Sequence, residues 1–381
     1  MSGAAAFPHA ASWPERFAVV AVFLVNGVGI GAWAACIPAL KASLALSDGE
    51  LGLVLFVFAA GAVLSMLLAA RLSQWVGPAK ATRASALVFA LTLLLPAFAP
   101  NLMALVVAVF VVGAASGLQD VTMNAYASGV ERRWGAAIMS SFHAAWSAGG
   151  LIGASVGGAC VGFGASWPLV AGAALAVALA AGAAPILQDA CAASTPPAPG
   201  LARPIRAALP LCAAAALCML CEGAMADWTG VYLAEVASAL QAVASIGFAV
   251  FSAAMLTCRL LGDSAVRAFG RAAVVRWGAT LAAAGLALAV AEPRVATSTV
   301  GFALVGVGLS NVVPVVFSAG ARLTAMPAVG VAMVATAGYC GYLSGPAIIG
   351  AIAQGAGLRL GVAFLILCAA GVVRAGRALS A

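Results

Sequence analysis

Asp120 is a carboxylate near the middle of a long apolar stretch, residues 106–127, and Asn124 lies one helical turn further along the same face. Bilayer hydrocarbon penalises a central charge by about 2.5–3.5 kcal/mol on insertion scales, so an acid kept there is expected to serve a purpose. The chemistry open to it is proton carriage. Desolvation favours a neutral carboxyl and a neighbouring donor favours the anion, so such a group responds to the wetting of its surroundings. The plain alternative is a hydrogen bond tying two helices together. His143 and Glu222 are further titratable groups inside apolar runs. His143 is placed to relay a proton with Asp120 or to donate to a solute, against the alternative of a satisfied core histidine. Trp146, one turn from His143, and Trp33, two turns from Asn26, offer flat faces on which a sugar ring or other planar ligand stacks, although packing explains either equally well.

Only long helices in a bilayer bring these residues to one level. The chain is 65% hydrophobic and 8% charged, with a mean hydropathy of +1.13, whereas soluble domains carry about 25% charged residues. Charges cluster between apolar runs of about 20 residues, the length a helix needs to cross about 30 Å of hydrocarbon. Twelve runs are read: 17–39, 50–70, 82–100, 102–126, 136–162, 166–187, 207–233, 241–262, 273–291, 296–320, 327–353 and 358–373. Barrel strands would be short and alternating; these runs are long and continuously apolar, so the fold class is all-α, a polytopic membrane protein of twelve transmembrane helices. The first run is too long for a signal-peptide core and is followed by Pro38, Lys41 and a second span, so it is read as retained.

With the N-terminus in the cytoplasm, 15 of the 18 Lys and Arg fall on that side, Arg259 among them, and only Lys41, Arg294 and Arg359 fall outside. The positive-inside rule thus places both termini in the cytoplasm. The net charge of +7 reports this topology and anionic lipid, with no call for nucleic acid. Asp120 and His143 lie 12 and 11 residues from Arg132, Asn26 lies 10 after Arg16, and Asn311 lies 11 before Arg322. At about 1.5 Å per residue these four share one level, about 16–18 Å deep for the first two, and no Lys or Arg is expected there to pair with Asp120. Glu222 is about 15 residues into its span, slightly past centre. Asp227 and Trp228 fall near the outer boundary, as a rim or gate.

The nine Cys form no spaced framework, and Cys218 and Cys221, although a C-x-x-C, lack two further ligands for zinc, so neither metal nor cofactor is expected. Expected boundaries are a cytoplasmic tail 1–16, a six-helix bundle 17–187, a Pro-rich cytoplasmic linker 188–206, a second bundle 207–373 and a tail 374–381. The halves look duplicated. Gly117-Leu118-Gln119-Asp120-Val121 is echoed by Gly308-Leu309-Ser310-Asn311-Val312, Gly150–Ala154 by Ala347–Ala351, and the turn holding Gly77 by the turn holding Gly270. Two parallel halves with a site at the midplane between them are a transporter architecture. Gly306, Gly308 and Pro314 flank Asn311 and permit close approach and bending. Pro314, Gly77, Gly270, Asp227 and Trp228 are the candidate gating positions, and Tyr339 and Tyr342 are placed to offer hydroxyls to a cavity.

Four stretches carry a resemblance: Gly117–Asn124, Ser141–Ser147, Glu222–Trp228 and Gly308–Pro314. In these the chain resembles the major facilitator superfamily, and within it a bacterial inner-membrane branch akin to fucose permease. The resemblance covers the whole chain and implies two pseudo-symmetric six-helix bundles. It also implies that Asp120 and Asn124 belong to a proton and sugar site; Asn26, Trp33, Trp146, Asn311 and Tyr339 are expected around the substrate from their level in the spans and their side chains. Two differences stand out: the first span has no acid between Asn26 and Pro38, and Gln74 occupies a place where the superfamily usually has an acid. The expected function is secondary transport of a small polar, sugar-like solute by alternating access, with proton symport through Asp120. Efflux of amphipathic compounds by proton antiport through Glu222 is the runner-up. A membrane sensor would need a signalling domain, and an intramembrane hydrolase a nucleophile and base, so no enzyme is expected. Expected partners are the solute, protons and lipid, around a monomer.

Overall fold

A computed structural model describes residues 11–135, 138–188, 205–320, 322 and 327–379. Among them no strand occurs. The helices are α1 (Trp13–Ser43), α2 (Asp48–Val76), α3 (Pro78–Thr92, prolonged by Leu94–Ala97), α4 (Leu102–Trp134), α5 (Met139–Cys160) and α6 (Trp167–Ala183). They continue as α7 (Ile205–Glu235), α8 (Ile246–Leu260, then Gly262–Phe269), α9 (Arg271–Ala291), α10 (Val295–Leu309, then Val312–Gly320), α11 (Pro327–Ala356) and α12 (Leu358–Ala375). Ten of these, among the described residues, are long and apolar enough to cross a membrane; α6 is a shorter apolar helix, and α11, with 30 residues, completes the twelve. Long helices suit these sequences because in lipid every backbone N–H and C=O must find its partner within the segment.

Caps set the ends. Ser12 accepts the Glu15 N–H ahead of α1, which starts inside the expected 1–16 tail. A reciprocal Ser47–Glu50 capping box opens α2, and Asn101 caps α4. Gly77 (φ 87, ψ 149) and Gly270 (φ 80, ψ 158) make the same turn after α2 and α8, in a region of backbone space essentially confined to glycine. The expected linker lies mostly at 189–204, outside the described residues, and α7 is already helical at Ile205. Most of the expected 374–381 tail is helical too, as α12 runs to Ala375 and ends in a 3-10 turn, Gly376–Leu379. The consequential shift is in α8, which does not stop at 262 but resumes through Phe269.

Packing repeats between the halves. α1 lies on α5 and α6 as α7 lies on α11 and α12; α2 lies on α4 as α8 lies on α10; α3 touches α6 as α9 touches α12. Across the pseudo-twofold axis α2 meets α11, α5 meets α8 and α1 meets α7. Glycines set the closest approaches: a Cβ on Gly117 would stand 2.2 Å from the Ala62 carbonyl oxygen, and one on Gly308 would stand 2.3 Å from that of Gly278. The chain is thus an all-helical, multi-pass membrane protein built as two six-helix bundles, with α3, α6, α9 and α12 making their main contacts inside their own half.

Candidate functional site

A cavity of about 190 Å³ lies between the halves at mid-depth, walled by α1, α2, α4 and α5 on one side and α7, α8 and α11 on the other. Asp120, His143, Asn26, Trp146, Glu222 and Tyr339, all expected at a site, line it together. The unbroken α4 holds Asp120 in place. One carboxylate oxygen accepts the Tyr339 hydroxyl from the opposite half at 2.9 Å, and the other accepts the Asn124 amide at 3.1 Å. The Asn124 amide also reaches the Asp120 carbonyl at 2.8 Å, so Asn124 acts on the acid from behind the lining. Asp120 forms no ion pair among the described residues.

His143 shares the cavity without bonding Asp120. Consecutive helices α4 and α5 are not main packing partners, since α5 lies on α1 and α4 on α2. The imidazole meets Phe23 of α1 edge-on instead, with ring centroids 5.4 Å apart. Asn26 and Trp146 do come together: the indole Nε1 donates to Asn26 Oδ1 at 2.8 Å, Asn26 donates to Gln119 at 3.1 Å, and Gln119 donates to the Val22 carbonyl at 3.2 Å. This amide chain fixes the Trp146 ring at the cavity wall. Gln119, fully buried, is a supporting residue the motif contained without its role being evident.

Arg259 is the largest departure. It was expected at the cytoplasmic boundary, with no cation near the acids. Instead its guanidinium lines the cavity, with Nη2 3.6 Å from Glu222 Oε2, Nη1 donating to Ser147 Oγ at 3.2 Å and Nε donating to the Ser310 carbonyl at 3.3 Å. Because α8 runs on to Phe269, Arg259 stands 11 residues inside the Gly270 turn, about 16 Å along a helix. The repeat of the Gly77 turn at Gly270 marks where the eighth span ends, eight residues beyond the end of the apolar run at 262.

Asn311 is not among the residues that line the cavity. Its amide donates to the Cys258 carbonyl at 3.0 Å and to Ser310 Oγ at 2.9 Å, and a Cβ on Gly262 would stand 1.9 Å from its Oδ1. It therefore joins the break in α8 to the break in α10. Pro314 explains the second break, because it has no N–H for the carbonyl four residues earlier. That carbonyl is Ser310, the one Arg259 uses.

Trp33 lies one layer behind the cavity, stacked on Phe58 with centroids 5.7 Å apart at 9°. Asp227 and Trp228 are buried in α7, and among the described residues neither side chain makes a hydrogen bond. Beyond them the halves are sealed at the end holding the 41–48 turn. Lys41, 7% exposed, places its Nζ 2.5 Å from both Asp48 Oδ1 and Glu235 Oε1. Gly49 N–H donates to Gln354 at 2.9 Å, and a Cβ on Gly52 would stand 2.8 Å from the Cα of Gly350. The other described bonds that cross between the halves, Tyr339 to Asp120 and Arg259 to Ser147, lie at mid-depth. Gly77 and Gly270 mark the opposite end. Cys218 donates to Glu222 and Cys221 to the Leu365 carbonyl, and no cluster of three His, Cys, Asp or Glu suited to a metal occurs among the described residues.

Two pseudo-symmetric bundles around a mid-depth cavity, shut at one end, define a membrane carrier. The chain belongs to the Major Facilitator Superfamily, whose model matches residues 18–236. It is 36% identical over 362 residues to membrane protein MosC of Rhizobium meliloti, covering 93% of this chain and 87% of that one. It is 37% identical over 361 residues to an uncharacterized MFS-type transporter of Yersinia pestis, covering 93% of each. Among solved structures, the nucleoside transporter NupG superposes with a TM-score of 0.77 at 14% identity, over 96% of this chain and 99% of that one. A bacterial homolog of the human lysosomal transporter Spinster, inward-facing and occupied, gives 0.75 at 13% identity over 97% of each. At those identities the likeness is one of fold. The chain is a secondary transporter, not an enzyme.

Proposed function

We propose that the protein moves a small polar solute across a bacterial inner membrane by alternating access, as a monomer with both termini in the cytoplasm, and that protonation of Asp120 biases which side opens. The observation that carries this reading is the Tyr339–Asp120 hydrogen bond. It crosses between the halves, and its acceptor is charged only while Asp120 is ionised; a neutral carboxyl still accepts but makes a weaker bond, so gaining a proton loosens a contact that holds the halves together. Symport is the favoured mode. With the termini inside, the sealed 41–48 end faces outward and the present conformation is inward-facing. The Asp120–Asn124 pair supports the likeness to the fucose permease branch and keeps sugar-like solutes in view, although Asn26 already spends its amide on Trp146 and Gln119.

Proteoliposomes loaded with Asp120→Asn protein test this. Accumulation driven by a pH gradient is expected to vanish while solute exchange persists in part; full accumulation in the variant overturns the reading. A second reading, efflux of amphipathic compounds by antiport through Glu222, draws support from the apolar wall of Ile30, Phe58, Met66, Met123 and Met219 beside that acid. Vesicles carrying a pH gradient of either sign separate the two.

A further inference from the structure

We propose that Arg259 forms a carboxylate subsite in the cavity, so that the transported solute is a small organic acid bearing a single carboxylate. The proposal rests on the reading of this cavity as the transport site.

Three observations lead there. The first is an ion pair left ajar. Two arms of the guanidinium are used, Nε on the Ser310 carbonyl and Nη1 on Ser147. Nη2 lies 3.6 Å from Glu222 Oε2, beyond the 2.7–2.9 Å of a closed charge-assisted bond. The described bond to the Glu222 carboxylate is a weak one from Cys218 Sγ at 3.5 Å. A partly buried pair kept only for stability gains most by closing, since its attraction must offset two desolvation costs. Held apart beside a void, the two charges leave the guanidinium edge open to a ligand oxygen.

The second observation is which cavity groups are unengaged. Tyr342 and His143 line the cavity, and among the described residues neither side chain makes a hydrogen bond. Asn26, Trp146 and Tyr339, in contrast, are already bonded. The free groups are thus an arginine edge, a phenol and an imidazole. A neutral sugar would leave the arginine edge unmet, whereas a carboxylate fits the planar fork of a guanidinium.

The third observation bounds charge and size. Asp120 and Glu222 also face the cavity beside the one Arg259, so every ligand anion adds to acids already there, and a monocarboxylate adds the least, one charge where a dianion adds two. A phosphate dianion would meet two carboxylates. The volume of about 190 Å³ falls below the roughly 300–1,000 Å³ typical of pockets for drug-sized ligands, which selects a small acid. In this scheme Glu222 is a placeholder that the ligand carboxylate displaces from Arg259.

The test uses the purified full-length protein in detergent at constant pH without any gradient. Affinities are measured for D-gluconate, D-glucuronate and L-lactate, each beside its neutral counterpart D-glucitol, D-glucose or lactamide. At least one acid is expected to bind about 10–100-fold tighter than its counterpart, the worth of one hydrogen bond to a charged group. Arg259→Gln should erase that preference and Arg259→Lys should keep part of it. Glu222→Gln should tighten acid binding, because the competing anion is gone. A purely structural pair predicts the opposite for Glu222→Gln, unchanged or weakened binding, and that result overturns the subsite. Equal affinity for acids and their neutral counterparts, or no acid binding, overturns it as well. Should Arg259→Gln fail to fold, Arg259→Lys and Glu222→Gln carry the test. No proton gradient enters, so this outcome is independent of the Asp120→Asn accumulation result.

Discussion

Gly117-Leu118-Gln119-Asp120-Val121 in α4 and Gly308-Leu309-Ser310-Asn311-Val312 in α10 start alike and end differently. In each, the glycine lets the helix touch a neighbouring backbone, Gly117 at Ala62 of α2 and Gly308 at Gly278 of α9. Three residues later they part. α4 runs unbroken for 33 residues and presents Asp120 to the cavity, whereas α10 breaks at Ser310 and Asn311, and Asn311 spends its amide on Cys258 of α8. The duplicated stretch thus keeps its packing residue in both copies and changes its polar one from a titratable group to a fastener. That fastener has its own use, because the same break exposes the Ser310 carbonyl that holds Arg259 at the cavity.

Five substitutions break or sharpen this contrast. Gly117→Val and Gly308→Val are both expected to abolish folded, monodisperse protein on size exclusion, because each side chain would run into a carbonyl oxygen at about the same distance. Tolerance of one but not the other would end the idea of a shared packing role. Next, Asn311→Asp places a carboxylate against the Cys258 carbonyl that now receives an N–H. The expected cost is about 1–3 kcal/mol, that of leaving a buried polar group without its partner, read as a lowered melting temperature. Asp120→Asn leaves an amide oxygen to accept from the Tyr339 hydroxyl and is expected to melt within about 1 kcal/mol of wild type, the net worth of one such bond. Smallest of all, Pro314→Ala restores an N–H for the Ser310 carbonyl, in competition with Arg259. A few-fold change in acid affinity is expected in the binding assay, and none would show that Arg259 is placed by other contacts.

Much of this was legible in the residues. Twelve spans follow from run length and hydropathy, and counting from charged turns put Asp120, Asn26, His143 and Asn311 at one level. Depth, however, says nothing of direction. Asn311 lies at the break before Pro314 and spends its amide on the Cys258 carbonyl of α8, away from the cavity. Pairing fails for a similar reason: His143 was matched to Asp120 by adjacency in sequence, whereas the fold interleaves α1 and α5 and leaves α4 against α2. Arg259 was misplaced by treating the first charge after an apolar run as the membrane boundary. A helix that continues through a break to a glycine turn carries its charge inward with it, and only the repeat of the Gly77 turn at Gly270 could have shown that.

The 3.6 Å separation of Glu222 and Arg259 has an electrical side. A unit charge moved through 100 mV of membrane potential is worth about 2.3 kcal/mol. Opposite charges that travel as neighbours cancel that work, so the Glu222–Arg259 couple adds no voltage sensitivity to the swing of the empty carrier. Currents recorded from reconstituted protein would then report the cargo, its accompanying ions and the charge on Asp120, with no contribution from this couple.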